Sequence, residues 1–351
     1  MNALFMVPRL AGYMHGCIEA FADAVPNLDV TIVSQPNAPQ APFEFPDHPR
    51  ICIRDRDVFT SADWLGLVNA QPAIAYLGGW SDAAYRRVGA ALRHRVPVIM
   101  GMDNLWKGTV KQRFMSSVLA PWVRSFCNRI WIPGLYQYEY ARRLGFPRDS
   151  ILTGLYSANN GLYDGVRATP GSGHLKNLVF VGNMWQDKGV NELVEAFRNL
   201  APRFPEWRLQ LVGGGPLVDR YRGHDSRIDV MGFRQPADLP GILVGATAFC
   251  LPSYHDQWAV VIHEACCAGL PVIATDVCGA VSAFVHDGYN GFRCAARDVR
   301  SLGRALESLM SLPNDRLAKF GRRSHELSLQ ITRELWVSKI KGLLAPRAGS
   351  C

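Results

Sequence analysis

LPSYHDQWAVVIHEACCAGLPVIATDVCGAVSAFVHDGYNGF, residues 251–292, is the stretch on which the fold turns. An apolar run ends at Pro252-Ser253 and a polar loop containing Asp256 follows. A helix then starts near Trp258 and carries Glu264. PVIATD (271–276) restarts an apolar run short enough to be a buried strand. Strand, loop, helix and strand in that order make a parallel crossover. Working outward, LVFVG (178–182), WRLQLVG (207–213), IDVMG (228–232) and ATAFCLP (246–252) read as further strands. NELVEAFRNL between the first two puts Leu193, Val194, Phe197 and Leu200 on one helical face.

The first half shows the same alternation. NALFM (2–6), DVTIVS (29–34), RICI (50–53), AIAYLGG (73–79), PVIMGM (97–102) and RIWIPG (129–134) are candidate strands with amphipathic stretches between them. SANNGLYDGVRATPGSGHLKN (157–177) lacks periodicity and reads as an interdomain linker. The expected fold is therefore α/β, with two doubly wound, Rossmann-like domains. We expect an N-terminal domain over 1–165, a C-terminal domain over 174–331, and a last helix within 332–351 that packs back toward the first domain. Ligands bind such sheets outside the carboxyl ends of the strands, so a pair of them is expected to face an interdomain cleft.

Composition narrows the class. The 351 residues are 48% hydrophobic and 19% charged, which excludes a disordered chain. No apolar run approaches eighteen residues, and MNALFMVPRL reads as a first strand rather than a signal peptide. Nine cysteines with no C-x-x-C point to reduced, buried thiols in a cytoplasmic protein, Cys266 and Cys267 among them, and no metal site is expected.

The net charge of +8 suggests an anionic partner. Segment 84–148 holds twelve basic residues against Asp103 and Glu139. That segment is a candidate contact with an anionic membrane surface, which would make the protein peripheral at the inner face. The plainer reading of 105–126, an ordinary amphipathic helix with a basic outer face, is preferred. No nucleic-acid motif accompanies the charge, so nucleic acid is not an expected partner.

Asp256 sits at a helix mouth and Glu264 two turns inside. Backbone N–H groups at a helix start, here Ala259 to Val261, are unsatisfied and suit a phosphate. A carboxylate further along can accept two hydrogen bonds from a vicinal diol such as ribose. Gly213, Gly214 and Gly215 lack the spacing of a dinucleotide loop and read as a tight turn at a strand end. His255 and His263 read as loop or helix-surface residues. Asp103, after a strand end, reads most simply as a helix cap.

The frame formed by Pro252, Ser253, Trp258, Glu264, Ala265, Ala268, Gly269, Pro271, Val272, Gly279, Asp287, Gly288 and Gly291 resembles the signature of the retaining glycosyltransferases of family 4, which have the GT-B fold. LVFVGN, DKGVNELVEAF, LQLVGGGP and DVMGF extend the resemblance across the second domain. In the first domain only Ala11-Gly12 matches, where the family has a Gly-Gly loop. Four positions differ from the pattern: Asp256 for Glu, Asn183 for Arg, Ala259 for Gly, and Asp103 in the place of a catalytic histidine.

The resemblance implies a retaining hexosyltransferase acting from a nucleotide sugar on a glycan or lipid-linked acceptor, in polysaccharide or glycoconjugate biosynthesis. It implies no metal and no other cofactor. Lys188, Asp256 and Asp103 would be catalytic. Ala11, Gly12, Asn183, Lys188, Gly213, Phe233, Arg234, Asp256, Trp258, Val260, Val261 and Glu264 would bind the donor, with Glu264 on the ribose. The first domain would hold the acceptor. The departures motivate a second reading, a non-catalytic GT-B scaffold or partner chain. An epimerase or a glycoside phosphorylase on the same fold is a third.

Overall fold

The computed structural model describes residues 1–39, 42–169 and 175–344. Part of the expected linker, the expected domain start at 174 and the tail from 345, with Cys351, lie outside the described residues. The chain divides into two compact units. Unit 1 comprises 1–37, 44–157 and 333–351; unit 2 comprises 38–43 and 158–332.

Unit 1 runs β1 (Asn2–Arg9), α1 (Gly12–Ala24), β2 (Asp29–Gln35), β3 (Ile51–Asp55), α2 (Ser61–Asn69), β4 (Ile74–Leu77), α3 (Ala83–Leu92), β5 (Val98–Gly101), α4 (Val110–Arg124), β6 (Arg129–Ile132), α5 (Tyr138–Arg143) and β7 (Ile151–Thr153). Its seven strands are parallel in the order β3-β2-β1-β4-β5-β6-β7. Alternate residues feed two cores. Ala3, Phe5 and Val7 join Ile32, Tyr76 and Trp131 on one face. Leu4 and Met6 join Val33, Leu77 and Ile130 on the other. Burial on both faces is why these strands read as unbroken apolar runs.

Unit 2 runs β8 (Lys176–Val181), α6 (Val190–Leu200), β9 (Trp207–Val212), α7 (Val218–Tyr221), β10 (Ile228–Gly232), α8 (Leu239–Val244), β11 (Ala248–Leu251), α9 (Val260–Cys267), β12 (Val272–Thr275), α10 (Val281–Phe284), β13 (Gly291–Cys294), α11 (Val299–Met310) and α12 (Asn314–Ser328). The parallel order is β10-β9-β8-β11-β12-β13, a doubly wound sheet whose order reverses between β8 and β11. Leu193, Val194, Phe197 and Leu200 of α6 are buried together, as the periodicity requires.

From residue 158 the stretch expected as an interdomain linker is part of unit 2. Tyr163 is 2% exposed, and the Ala158 N–H donates to His263 at 2.9 Å. The last helix, α13 (Arg333–Lys341), belongs to unit 1. Its Trp336 stacks on Trp131 at 4.7 Å between centroids and on Phe5 at 6.3 Å, and its indole N–H donates to the Leu155 carbonyl at 3.0 Å.

Eight cysteines are unpaired among the described residues, and only Cys52 is exposed. Burial pushes the Cys17 and Cys127 thiols up to about 12, which makes them poor nucleophiles. No described helix is long and apolar enough to cross a membrane.

Candidate functional site

Two glycines shape the carboxyl edge of the second sheet. Gly213 has φ +145°, and a side chain there would meet the Gly182 carbonyl at 1.8 Å, so the ends of β8 and β9 can approach only without one. Gly189 has φ +70°, and a Cβ would lie 2.1 Å from the Pro252 carbonyl. The absence of that Cβ lets the turn before α6 press against the end of β11. Lys188 and Asp256 meet as a result. The Lys188 ammonium donates to Asp256 Oδ2 at 2.6 Å, and both side chains are about four-fifths buried, with relative exposures of 23% and 18%. Asp256 Oδ1 accepts from the Trp258 N–H at 3.2 Å. The ion pair joins the loops after β8 and β11, the two strands between which the sheet order reverses.

From Asp256 the chain turns into α9 through Ala259. That residue has φ +67°, ψ +72° and is the helix N-cap, with no side-chain cap. The left-handed region suits glycine, so this position has a physical reason for Gly. Relief of strain, about 1–2 kcal/mol, should offset the lost methyl and the added freedom of the unfolded chain. Ala259→Gly is therefore expected to leave stability within about 0.5 kcal/mol, and Ala259→Val to lower it by about 2 kcal/mol or more, read as urea midpoints. Uncapped, the first N–H groups of α9, at Val260 and Val261, point out of the helix end.

Glu264 follows one turn further on. Part of its surface reaches solvent, yet burial raises its carboxyl from 4.5 to about 7. No hydrogen bond or ion pair to the carboxylate is found among the described residues. It is a strong acceptor, mostly desolvated, with its acceptor sites unfilled.

The neighbouring His263 is a correction. It was expected at a helix surface and is fully buried. Its Nδ1 accepts from Ala158, its Nε2–H donates to the Ser328 carbonyl at 2.9 Å, and its ring stacks on Phe284 at 4.3 Å. Burial lowers its pKa to about 4, so the ring is neutral and structural. His255 is exposed.

The other expected donor residues scatter by environment. Asn183 and Arg234 are exposed at the ends of β8 and β10. Phe233 lies edge-on to Phe43 at 5.7 Å. Trp258 is 2% exposed and packs on Phe284, so its ring serves the core and only its backbone faces the loop.

In unit 1, Ala11 and Gly12 open α1, whose N-terminus also lacks a side-chain cap. Asp103 follows β5 but caps no helix; Thr109 caps α4, its hydroxyl accepting from the Gln112 N–H at 3.2 Å. Asp103 instead accepts from the Tyr156 hydroxyl at 3.1 Å through Oδ2, and its backbone carbonyl from Gln137 at 3.2 Å. Arg9, Ala11, Tyr13, Tyr76, Trp80 and Asp103 line a cavity of about 370 Å³ at the carboxyl ends of β1 and β4. Tyr156, 53 residues from Asp103, carries no sequence signal for this role. Among the described residues no three His, Cys, Asp or Glu side chains gather as a metal site.

Residues 175–311 match the family model "Glycosyl transferases group 1". An uncharacterized glycosyltransferase of Haemophilus influenzae is 25% identical over 48% of this chain and 49% of its own. A glycogen synthase of Mycobacterium tuberculosis is 30% identical over 39% of this chain and 34% of its own. The matches thus span half or less of these curated relatives. The structure of Anabaena HepE in complex with UDP and glucose superposes with a TM-score of 0.72 at 17% identity, over 98% of this chain and 99% of that one.

Proposed function

We propose that the protein, a chain of GT-B fold whose residues 175–311 match the model for glycosyl transferases group 1, transfers a hexosyl group from a nucleoside diphosphate sugar to a glycan or lipid-linked acceptor, with retention and without a metal. The observation that carries the reading is the desolvated, unpartnered Glu264 carboxylate, one turn inside a helix whose first N–H groups are uncapped. A vicinal ribose diol supplies the two O–H donors that this carboxylate lacks. The N–H groups of Val260 and Val261 then face the diphosphate, where the helix dipole favours negative charge.

Lys188 supplies the fixed cation for charge that develops on the leaving diphosphate. Asp256, which holds Lys188 in the free protein, takes hydroxyls of the transferred sugar. The bond from the anomeric carbon to the diphosphate oxygen breaks with its electron pair on that oxygen, the acceptor hydroxyl oxygen bonds to the same face of the anomeric carbon, and its proton passes to the leaving phosphate. No protein nucleophile is needed on that route. The cavity beside Asp103 and Tyr156 in unit 1, lined by aromatic rings and a carboxylate, suits the ring and hydroxyls of an acceptor sugar. The role fits cell-surface polysaccharide or glycoconjugate synthesis.

Thermal unfolding with UDP, GDP, ADP, CMP and NAD, each with a chelator, tests the donor site. A nucleotide at a hundred times its dissociation constant should add about 2.7 kcal/mol. Lys188→Met should weaken the nucleoside diphosphate about tenfold while sparing the unphosphorylated nucleoside, and cut turnover about a hundredfold. No shift with any nucleotide would favour the non-catalytic reading, which the exposed Asn183 in place of a cation motivates.

A further inference from the structure

At the amino edge of the first sheet lies a further cavity of about 530 Å³, lined by Arg93, His94, Arg95, Asn128 and Arg129. Arg93 is the C-cap of α3, Arg95 lies in the turn from α3 to β5, and Arg129 opens β6. All three belong to the basic segment 84–148. Arginines at the end of a helix commonly serve its last carbonyls. Here those carbonyls have other donors. The Gly89 carbonyl accepts from the Arg93 N–H at 2.9 Å, and the Leu92 carbonyl from the N–H groups of Arg95 and Val96 at 2.8 and 3.1 Å. The Asn128 amide donates to the Arg93 and Val96 carbonyls at 2.7 and 3.1 Å, and its oxygen accepts from the Val98 N–H at 2.9 Å. Asn128 thus clamps to the sheet the turn that carries Arg93 and Arg95. Arg129 is held beside it by the Asp149 carbonyl, to which its Nη1 donates at 3.0 Å. No described acid forms an ion pair with Arg93 or Arg95, and no carboxylate is among the residues that line the cavity.

We propose that this cavity binds a small soluble anion carrying at least two phosphoryl groups. Its volume is that of a small-molecule site. Three arginines, fixed by two separate segments, present planar forks that match phosphate oxygens in pairs. One phosphoryl group brings only about two negative charges near neutral pH, so three guanidinium groups call for more than one. The carboxyl end of α3 opposes an anion with about half a negative charge, which three full positive charges outweigh. Apart from the polar side chains the lining is aliphatic, at Val96, Pro97 and Leu343, with no Phe, Tyr or Trp on which a base could stack. Recognition therefore rests on the phosphates. The site is separate from the cavity beside Asp103. Pro97 lines one and Gly101 the other, about 13 Å apart along β5 at about 3.3 Å per residue. The inference goes beyond the donor reading and does not depend on it.

Calorimetric titration of the full chain with inorganic pyrophosphate, and with orthophosphate for comparison, tests it. Pyrophosphate should bind about tenfold or more tightly than orthophosphate. Arg95→Gln should weaken it about tenfold, and Arg93→Gln with Arg95→Gln about a hundredfold, whereas Arg95→Lys, which keeps the charge but not the fork, should lose less than Arg95→Gln. Arg95 is exposed, so Arg95→Gln should melt at the wild-type midpoint without ligand, which separates lost binding from lost folding. Pyrophosphate could also enter the site beside Asp256, so the titration is repeated in Lys188→Met, where binding at the arginines should persist. Binding that Lys188→Met abolishes and the arginine variants retain would place the anion in unit 2 and overturn the proposal. Absence of binding overturns it as well, as does orthophosphate binding as tightly as pyrophosphate.

Discussion

Glu264→Gln is expected to cut donor turnover by about a hundredfold or more while making the ligand-free protein more stable above neutral pH. Both effects follow from one carboxyl. In the folded state its pKa is raised from 4.5 to about 7 by burial. An acid held more tightly protonated in the fold contributes stability that is fully present below its unfolded value. That contribution is lost as pH rises through the folded value. Stability of the wild type should therefore decline between about pH 4.5 and pH 7 on account of this group, and the glutamine, which never ionises, should escape the decline.

Donor binding has the opposite slope. The ionised carboxylate accepts two O–H bonds from a diol, the protonated form fewer, so nucleotide affinity should rise with pH through about 7. In Glu264→Gln the profile should be flat and the affinity low. Calorimetric nucleotide titrations and thermal melts across that range read both quantities. Unchanged affinity in the variant would remove Glu264 from the donor site.

Trp336→Ala should destabilise unit 1 by about 4 kcal/mol, the loss of a large buried ring plus the cavity that it leaves. The ring is 1% exposed, stacks on Trp131 and Phe5, meets Phe21 edge-on at 6.4 Å, and satisfies the Leu155 carbonyl through its N–H. Alanine abandons all of these together. Two units with separate cores can unfold in two steps. In urea, the step reporting unit 1 should move to lower concentration and the step reporting unit 2 should hold. Equal movement of both would mean that α13 is not specific to the first core.

The sheets were legible because their central strands are buried on both faces and must be apolar throughout. The two strands that the pattern missed are β7, Ile151–Thr153, and β13, Gly291–Cys294. Both are edge strands of three or four residues with partly exposed side chains, so neither supplies a continuous run. Glu264 was legible from its frame of Pro, Ser, Ala and Gly. The Lys188–Asp256 pair was not, because 68 residues separate partners that only a glycine-permitted approach of two loops unites. His263 was misread for a related reason. One helical turn does not reveal that Ala158 and Ser328 close over it, and a polar ring in a short helix looks like surface until its two backbone partners are seen. Asp103 was placed after the right strand, but its partner Tyr156 arrives from the far end of the unit.

The assignment of α13 to the first core has a consequence for biosynthesis. A ribosome delivers the 158–332 stretch in full before Trp336 emerges, so unit 1 cannot complete its core before unit 2 has been made. Segments 1–37 and 44–157 of unit 1 must wait, with an aromatic vacancy beside Phe5 and Trp131, while the inserted unit matures. Truncation shortly before Trp336 would then release a chain whose later-made half is native and whose earlier-made half is a client for chaperones.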